Sequence, residues 1–402
     1  MTKFTFLLLF CTLAYFVSGQ DNDTTKKEKK GYEFTVIKEI NTTSVKDQHR
    51  SGTCWSFAAT SFIETELLRQ GKEAPDLSEM FAVRKCYEEK ADKHVRMHGK
   101  SYFTGGGATN DVLDVLTKYG AITNEAYSGL QYGSDGHVHG EIDKLLNAYI
   151  SALITNPNKE LSVAWKNGYK GILDAYLGVV PEKFQYKGNE YTTEEFSKKF
   201  VPLNAKDYVY LTSFTHHPFG IEFILEVPDN WSNQKFFNIP IEELVAVVDN
   251  ALENGYSVCW AADVSEKGFS WKNGLAIVPE TDIKEMSDSE QLKWEALTKE
   301  ELDKQIYSFD NPVTEKKITQ LLRQIEFDNY KTTDDHLMHI TGIAKDQNGN
   351  KFYKVKNSWG NKNQKYDGYL YVSEAYLKLK TINILLHKDG LTKETRKKYN
   401  QK

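Results

Sequence analysis

Along this chain of 402 residues the spacing of apolar positions changes from a helical period to an alternating one. After Cys54, residues Ala58, Ala59, Phe62, Ile63 and Leu67 recur at helical spacing and Gly71 supplies a stop, which predicts a helix of about four turns beginning at Cys54. Charged helical patterns return at Glu141 to Ile154, Leu297 to Ile306 and Ile318 to Ile325. Strand patterns run from Tyr208 to Phe214, Ile221 to Val227 and Ser257 to Val264. Asp334 to Gly342 reads as a turn entering a strand, Phe352 to Lys356 alternates as the next, and Thr381 to Leu386 as the last. A helical part at 45–130 and a strand-rich part at about 205–390 predict an α+β fold of two lobes with the site in the cleft between them.

The two ends read differently. Lys3, the apolar run Phe4 to Val17, and Ser18-Gly19 form a secretory signal over 1–19, too short to span a membrane comfortably. The protein is therefore expected to be exported, to a periplasm or outside the cell. Residues 20–44 read as a linker and N-terminal extension, polar and Lys-rich up to residue 31. Residues 391–402 read as a Lys-rich C-terminal tail.

Composition narrows the class. With 40% hydrophobic and 27% charged residues, the chain can bury a large core. Its formal net charge is only -5 and the Lys and Arg residues are dispersed, which argues against a nucleic-acid partner. Removal of the signal leaves Cys54, Cys86 and Cys259, an odd number, so a disulfide framework does not hold the fold. Cys86 and Cys259 read as small buried hydrophobes.

Cys54 has different surroundings: a polar, Gly-containing turn ends at it and a helix begins. The positive end of a helix dipole there favours a thiolate and a lowered pKa. Gln48, six residues upstream, can donate its side-chain amide to a developing oxyanion together with the Cys54 N–H. A thiolate nucleophile needs an imidazole to exchange its proton. Two histidines compete on one strand, where His336 shares a face with Met338 and Ile340, and His339 shares the other with Leu337 and Thr341. Alternation alone does not choose between them. His94 and His98 are four apart, which hints at a metal, but two ligands make a poor site; His137/His139 and His216/His217 look like loops. No metal and no cofactor is assigned.

The segment from Gln48 through Ser51-Gly52-Thr53-Cys54-Trp55-Ser56-Phe57-Ala58 resembles the nucleophile segment of papain-like cysteine peptidases, in its aminopeptidase C and bleomycin hydrolase branch. Leu77-Ser78-Glu79, then Gly105-Gly106-Gly107 with Val112, Leu113, Leu116, Tyr119 and Gly120, follow in that family's order. Asn357-Ser358-Trp359-Gly360 is similar to one of its most specific motifs. The resemblance implies a papain-like two-lobed fold, with 131–204 and 280–333 as helical insertions into a peptidase domain at 45–390. It selects His336, with Gly342 six residues on, as the base, and Asn357 as the group that orients the imidazole. It implies that Trp359 shields that hydrogen bond, and that Gly106 and Gly107 with Trp359 contact substrate. Ser51 stands where many relatives carry a bridging Cys, a departure shared with this branch. In that branch a C-terminal arm enters the cleft, which raises the same question for 391–402. The expected partners are peptide substrates, with self-association left open. Cysteine peptidase chemistry, most simply an aminopeptidase, is the leading expectation. An inactive papain-fold peptide-binding protein, and an endopeptidase or acyl transferase on the same scaffold, use the same residues.

Overall fold

The computed structural model describes residues 31–282, 291–292 and 297–401; the expected signal at 1–19 and the Lys-rich stretch that follows it lie outside the described residues. Its organising element is the long strand His336–Asp346, almost wholly buried. Val258–Ala262 pairs antiparallel with its first half and Lys351–Lys356 with its second. Thr381–His387 and then Tyr208–Thr212 extend the sheet on the first side, and Tyr369–Ser373 extends it on the other. Eleven strands join this one mixed sheet among the described residues.

Strand alternation divides two cores. Met338, Ile340, Val258 and Trp260 point into the interior of the curved sheet, against the helix Ile241–Glu253. Leu337, Cys259 and Ala261 point the other way, onto Phe57, Phe62 and the rest of the helical lobe. The helix Cys54–Arg69 is buried from Trp55 through Leu67, which explains why its polar residues also pack inside. Glu79–Arg96 and Asp111–Tyr119 complete that lobe. In the expected insertion, Gly140–Ile154 buries Ile142, Leu146 and Ile150, and Ala164–Leu177 buries Tyr169, Leu173 and Leu177. This spacing of four puts each set on one helix face, and both faces close on Glu79–Arg96. The fold is α+β and two-lobed, as its sequence pattern indicates.

Two end segments differ from their expected character. The stretch read as linker contains the strand Phe34–Glu39, which pairs antiparallel with the far end of His336–Asp346. Its ladder passes Gly342, where any Cβ would collide with the Lys38 carbonyl, so the bare Cα is what lets this strand close on the sheet. The Lys-rich tail forms the helix Lys393–Tyr399, capped by Thr392. It docks on Ile241–Glu253 through the fully buried Thr395, whose hydroxyl donates to Glu243 at 2.8 Å, and Tyr399 packs edge-on against Phe237. Leu391, only 3% exposed, fixes the entry to this helix. Removing residues 391–402 should therefore lower stability by about 2–3 kcal/mol, roughly the burial of one such side chain plus the helix contacts. Chemical denaturation of the full-length and shortened proteins measures it, and an unchanged midpoint would mean the docked helix contributes nothing.

Candidate active site

Cys54 is the first residue of its helix and is half-buried. Its register is set by Trp55, fully buried, whose indole N–H donates to the Gly105 carbonyl at 3.0 Å. The backbone N–H of Leu337 favours the charged form of the Cys54 sulfur, which places the sulfur by the peptide that follows His336. The sheet brings His336 to this point from the start of its long strand, opposite Ala262.

The His336 ring is held by Asn357, with Nε2 and Oδ1 2.8 Å apart. The Asn357 oxygen also accepts the Ser358 N–H at 2.7 Å, which fixes the amide's orientation. An oxygen can only accept, so Nε2 carries the proton and Nδ1 presents its lone pair. Trp359 covers the imidazole at 4.7 Å between ring centroids and is itself flanked by Phe269 and Trp271. His339 lies elsewhere. It is fully buried between the strand and the Cys54–Arg69 helix, with Nδ1 3.0 Å from the Ser61 hydroxyl and Phe62 edge-on to its ring.

Gln48 joins the two lobes. Its backbone N–H donates to the Ser358 carbonyl at 2.8 Å, and its side-chain oxygen accepts the Ser358 hydroxyl at 2.7 Å. One N–H of its amide donates to the Ser51 carbonyl at 2.8 Å, which leaves the second for a ligand. The structure thus brings Gln48, Cys54, His336, Asn357 and Trp359 together. Gly107 is walled in, since a Cβ there would lie 2.7 Å from both the Trp55 ring and the Asp111 carboxylate. Gly106 lies at the cleft surface under the Asp229 carboxylate, and Lys90 donates to its carbonyl from beneath.

The electrostatics correct the expectation of a lowered thiol pKa. Burial pushes the Cys54 thiol up to about 12, with the charges of Asp229 and Asp334 adding to the push, against the N–H groups of Leu337 and Trp55. Burial also pushes His336 down to about 4, against the hydrogen bond to Asn357. Taken singly, both groups are neutral at pH 7. Transfer of the thiol proton to Nδ1 would create both charges at once, each offsetting the other. The helix start assists the thiolate but does not create it.

The histidines outside this group do not assemble the hinted metal site. His94 faces Ser101 and stacks on Phe103, while His98 lies past the helix end at Arg96 with a positive φ of 52°. His216, His217 and Glu226 do place donor atoms within 4.8 Å of one another. There, however, the Gln324 amide is pinned by Thr215 N–H on its oxygen and by Asp328 on its nitrogen. That nitrogen therefore donates to Nδ1 of His216, and Nε2 of His216 carries a proton toward Glu226 instead of a lone pair for a cation.

Residues 172–306 and 289–402 match the Peptidase C1-like family, and residues 33–196 match the papain family of cysteine proteases. The chain belongs to the Peptidase C1-like family. It is 23% identical to aminopeptidase C of Streptococcus thermophilus, over 92% of this chain and 86% of that one. It is 22% identical to aminopeptidase C of Listeria innocua, over 89% and 82%. The solved structure of PepW from Lactobacillus rhamnosis shares the fold, with a TM-score of 0.66 at 20% identity over 91% of this chain and 85% of that one. This Peptidase C1-like chain is a cysteine-type peptidase.

Sequence reasoning missed three residues of the site. Ser358, inside the recognised motif, holds Gln48. Lys90, buried and helical, braces the Gly turn, and Asp229 sits over it; nothing in their local sequence marks either one. Iodoacetamide should label Cys54 ahead of Cys86 and Cys259, which are 2% and 0% exposed. His336→Ala should slow that labelling at pH 7 by about 100-fold or more, because a lone thiol raised to about 12 is almost entirely protonated there. Peptide mapping after brief labelling reads both effects. An undiminished rate in the variant would show that Cys54 does not depend on the imidazole.

Proposed function

We propose that this chain is an exported cysteine aminopeptidase that cleaves peptides through a thioester on Cys54. The observation that carries the reading is the placement of the Cys54 sulfur against the His336–Leu337 peptide, with His336 oriented by Asn357. Aminopeptidase character is supported by the relatives named aminopeptidase C, and export by the signal pattern at the start of the chain.

In this reading the Cys54 proton passes to Nδ1 of His336 as the sulfur attacks the substrate carbonyl carbon. The Cys54 N–H and the free N–H of Gln48 hold the oxyanion, as preorganised donors do in acyl transfer. On collapse the C–N bond breaks, the leaving amine takes the proton from His336, and a thioester remains. His336 then takes a proton from water as the water attacks the thioester, and the sulfur leaves as the acid departs and recovers that proton. Asn357 keeps the ring in the tautomer that serves both steps, and Trp359 shields the His336–Asn357 bond from solvent. A peptide-binding protein without turnover would leave the Cys54–His336 pair without a use; an endopeptidase would use the same pair, and what favours the aminopeptidase is the relatives named aminopeptidase C.

The test is turnover of aminoacyl and N-acetyl-aminoacyl fluorogenic amides. The unblocked substrate should be hydrolysed faster, and His336→Ala should lower kcat by about 1,000-fold or more. His339→Ala should keep kcat within about threefold while losing roughly 2–3 kcal/mol of stability to the cavity it leaves. Loss of turnover in a folded His339→Ala, with His336→Ala active, would reverse the assignment of the base.

A further inference from the structure

The cleft holds a carboxylate that the cysteine–histidine chemistry does not use. Asp229 follows the short strand Glu222–Ile224 at the edge of the sheet, yet it reaches the Gly turn of the helical lobe. Its loop is braced on both sides. Pro228 limits the backbone before it, and the Asn230 side chain behind it donates to the Leu225 and Gln234 carbonyls and accepts the Gln234 N–H. The next residue, Trp231, donates its indole N–H to Asp111 at 2.7 Å, and the same carboxylate oxygen accepts the Ala108 N–H just past the Gly turn. The backbone N–H of Asp229 itself favours the charge on the Asp334 carboxylate, two residues before His336. Asp229 is thus fixed to both walls of the cleft.

Its side chain has no such anchor. No hydrogen bond reaches the Asp229 carboxylate from another side chain or backbone group among the described residues, and it lies so close over Gly106 that a Cβ there would collide with it. Asp229 and Asp334 are the carboxylates whose charges act on the Cys54 sulfur. Burial and the neighbouring Asp335 charge raise both; the Lys90 ammonium opposes the rise at Asp229, and the Asp229 N–H opposes it at Asp334. The loop therefore places the Asp229 carboxylate directly over Gly106, where its charge acts on the Cys54 sulfur. The described tail residues do not supply that group, because they dock on Ile241–Glu253.

We propose that Asp229 is the specificity-determining residue that receives the free α-ammonium of the substrate's first residue, an inference that rests on the aminopeptidase reading above. An amine that pairs with Asp229 places the adjoining carbonyl at Cys54, and the loop over Gly106 leaves no room for a residue before it. Pairing also cancels the negative field that opposes the Cys54 thiolate, so an unblocked substrate activates the nucleophile as it binds. An N-acyl group offers no charge and meets the loop.

The experiment compares an alanyl or leucyl fluorogenic amide with its N-acetyl form on the full-length protein and on Asp229→Asn. The variant should lose about 30-fold or more in kcat/KM on the unblocked substrate, the loss expected when a charge-assisted contact is removed, and gain on the acetylated one. Iodoacetamide labelling of Cys54 in the absence of substrate should speed up, since the opposing charge is gone; a purely structural role for Asp229 would slow it. If Asp229→Asn does not fold, Asp229→Glu keeps the charge and should retain the preference for the unblocked substrate, at reduced kcat/KM. A wild-type protein that prefers the free amine while the folded Asn variant keeps the same ratio, or a Glu variant that loses the preference, overturns the assignment to Asp229 alone. A wild-type protein that prefers the acetylated substrate overturns it together with the aminopeptidase reading.

Discussion

The structure depends on a short stitch between lobes that are far apart in sequence. The backbone N–H of Gln48 donates to Ser358, the Ser358 hydroxyl donates back to the Gln48 side chain, Asp47 bridges Trp359, and the Gly360 N–H reaches the Lys46 carbonyl. About 310 residues separate the two sides, so the native register is set by a few hydrogen bonds made at long range. Each of these residues adjoins one that needs positioning. Gln48 leads to Cys54 through the Ser51-Gly52-Thr53 turn, and Ser358 sits between Asn357 and Trp359. A displacement of the stitch would separate the sulfur from the imidazole and turn the Gln48 amide away at the same time.

The electrostatics of the cleft follow from that closure. Bringing the lobes together removes water from Cys54 and His336, and burial then disfavours the charge on each. Burial disfavours either charge alone, and a proton passed from sulfur to imidazole would create the two charges together. The reactivity of the site therefore depends on the distance and orientation that the Asn357 and Leu337 contacts impose, more than on the dipole of one helix.

Much of this was legible in the sequence because it rests on local patterns. The Cys54 helix announces itself by apolar spacing, and Asn357-Ser358-Trp359-Gly360 by its composition. His336 and His339 were separable only through the family resemblance, since strand phase names two faces without saying which one meets the cleft; the contact with Asn357 and the burial against Ser61 distinguish them. What stayed hidden is determined at long range. Phe34–Glu39 is a largely exposed strand whose own alternation is weak, and it is ordered by a partner some 300 residues away. The tail reads as solvated because Lys393, Lys397 and Lys398 dominate it, while the residue that docks it is a buried threonine. The raised thiol pKa and the position of Asp229 come from packing across the cleft, which no local window contains.

The central claim is that acyl transfer passes through Cys54. Mixing the protein with an unblocked aminoacyl ester, quenching in acid within the first turnovers and mapping the peptides by mass spectrometry tests it directly. The account predicts an aminoacyl mass added to the peptide that contains Cys54, labile to hydroxylamine and absent in Cys54→Ala. Turnover that continues in Cys54→Ala, or an acyl group found on another residue, would contradict it.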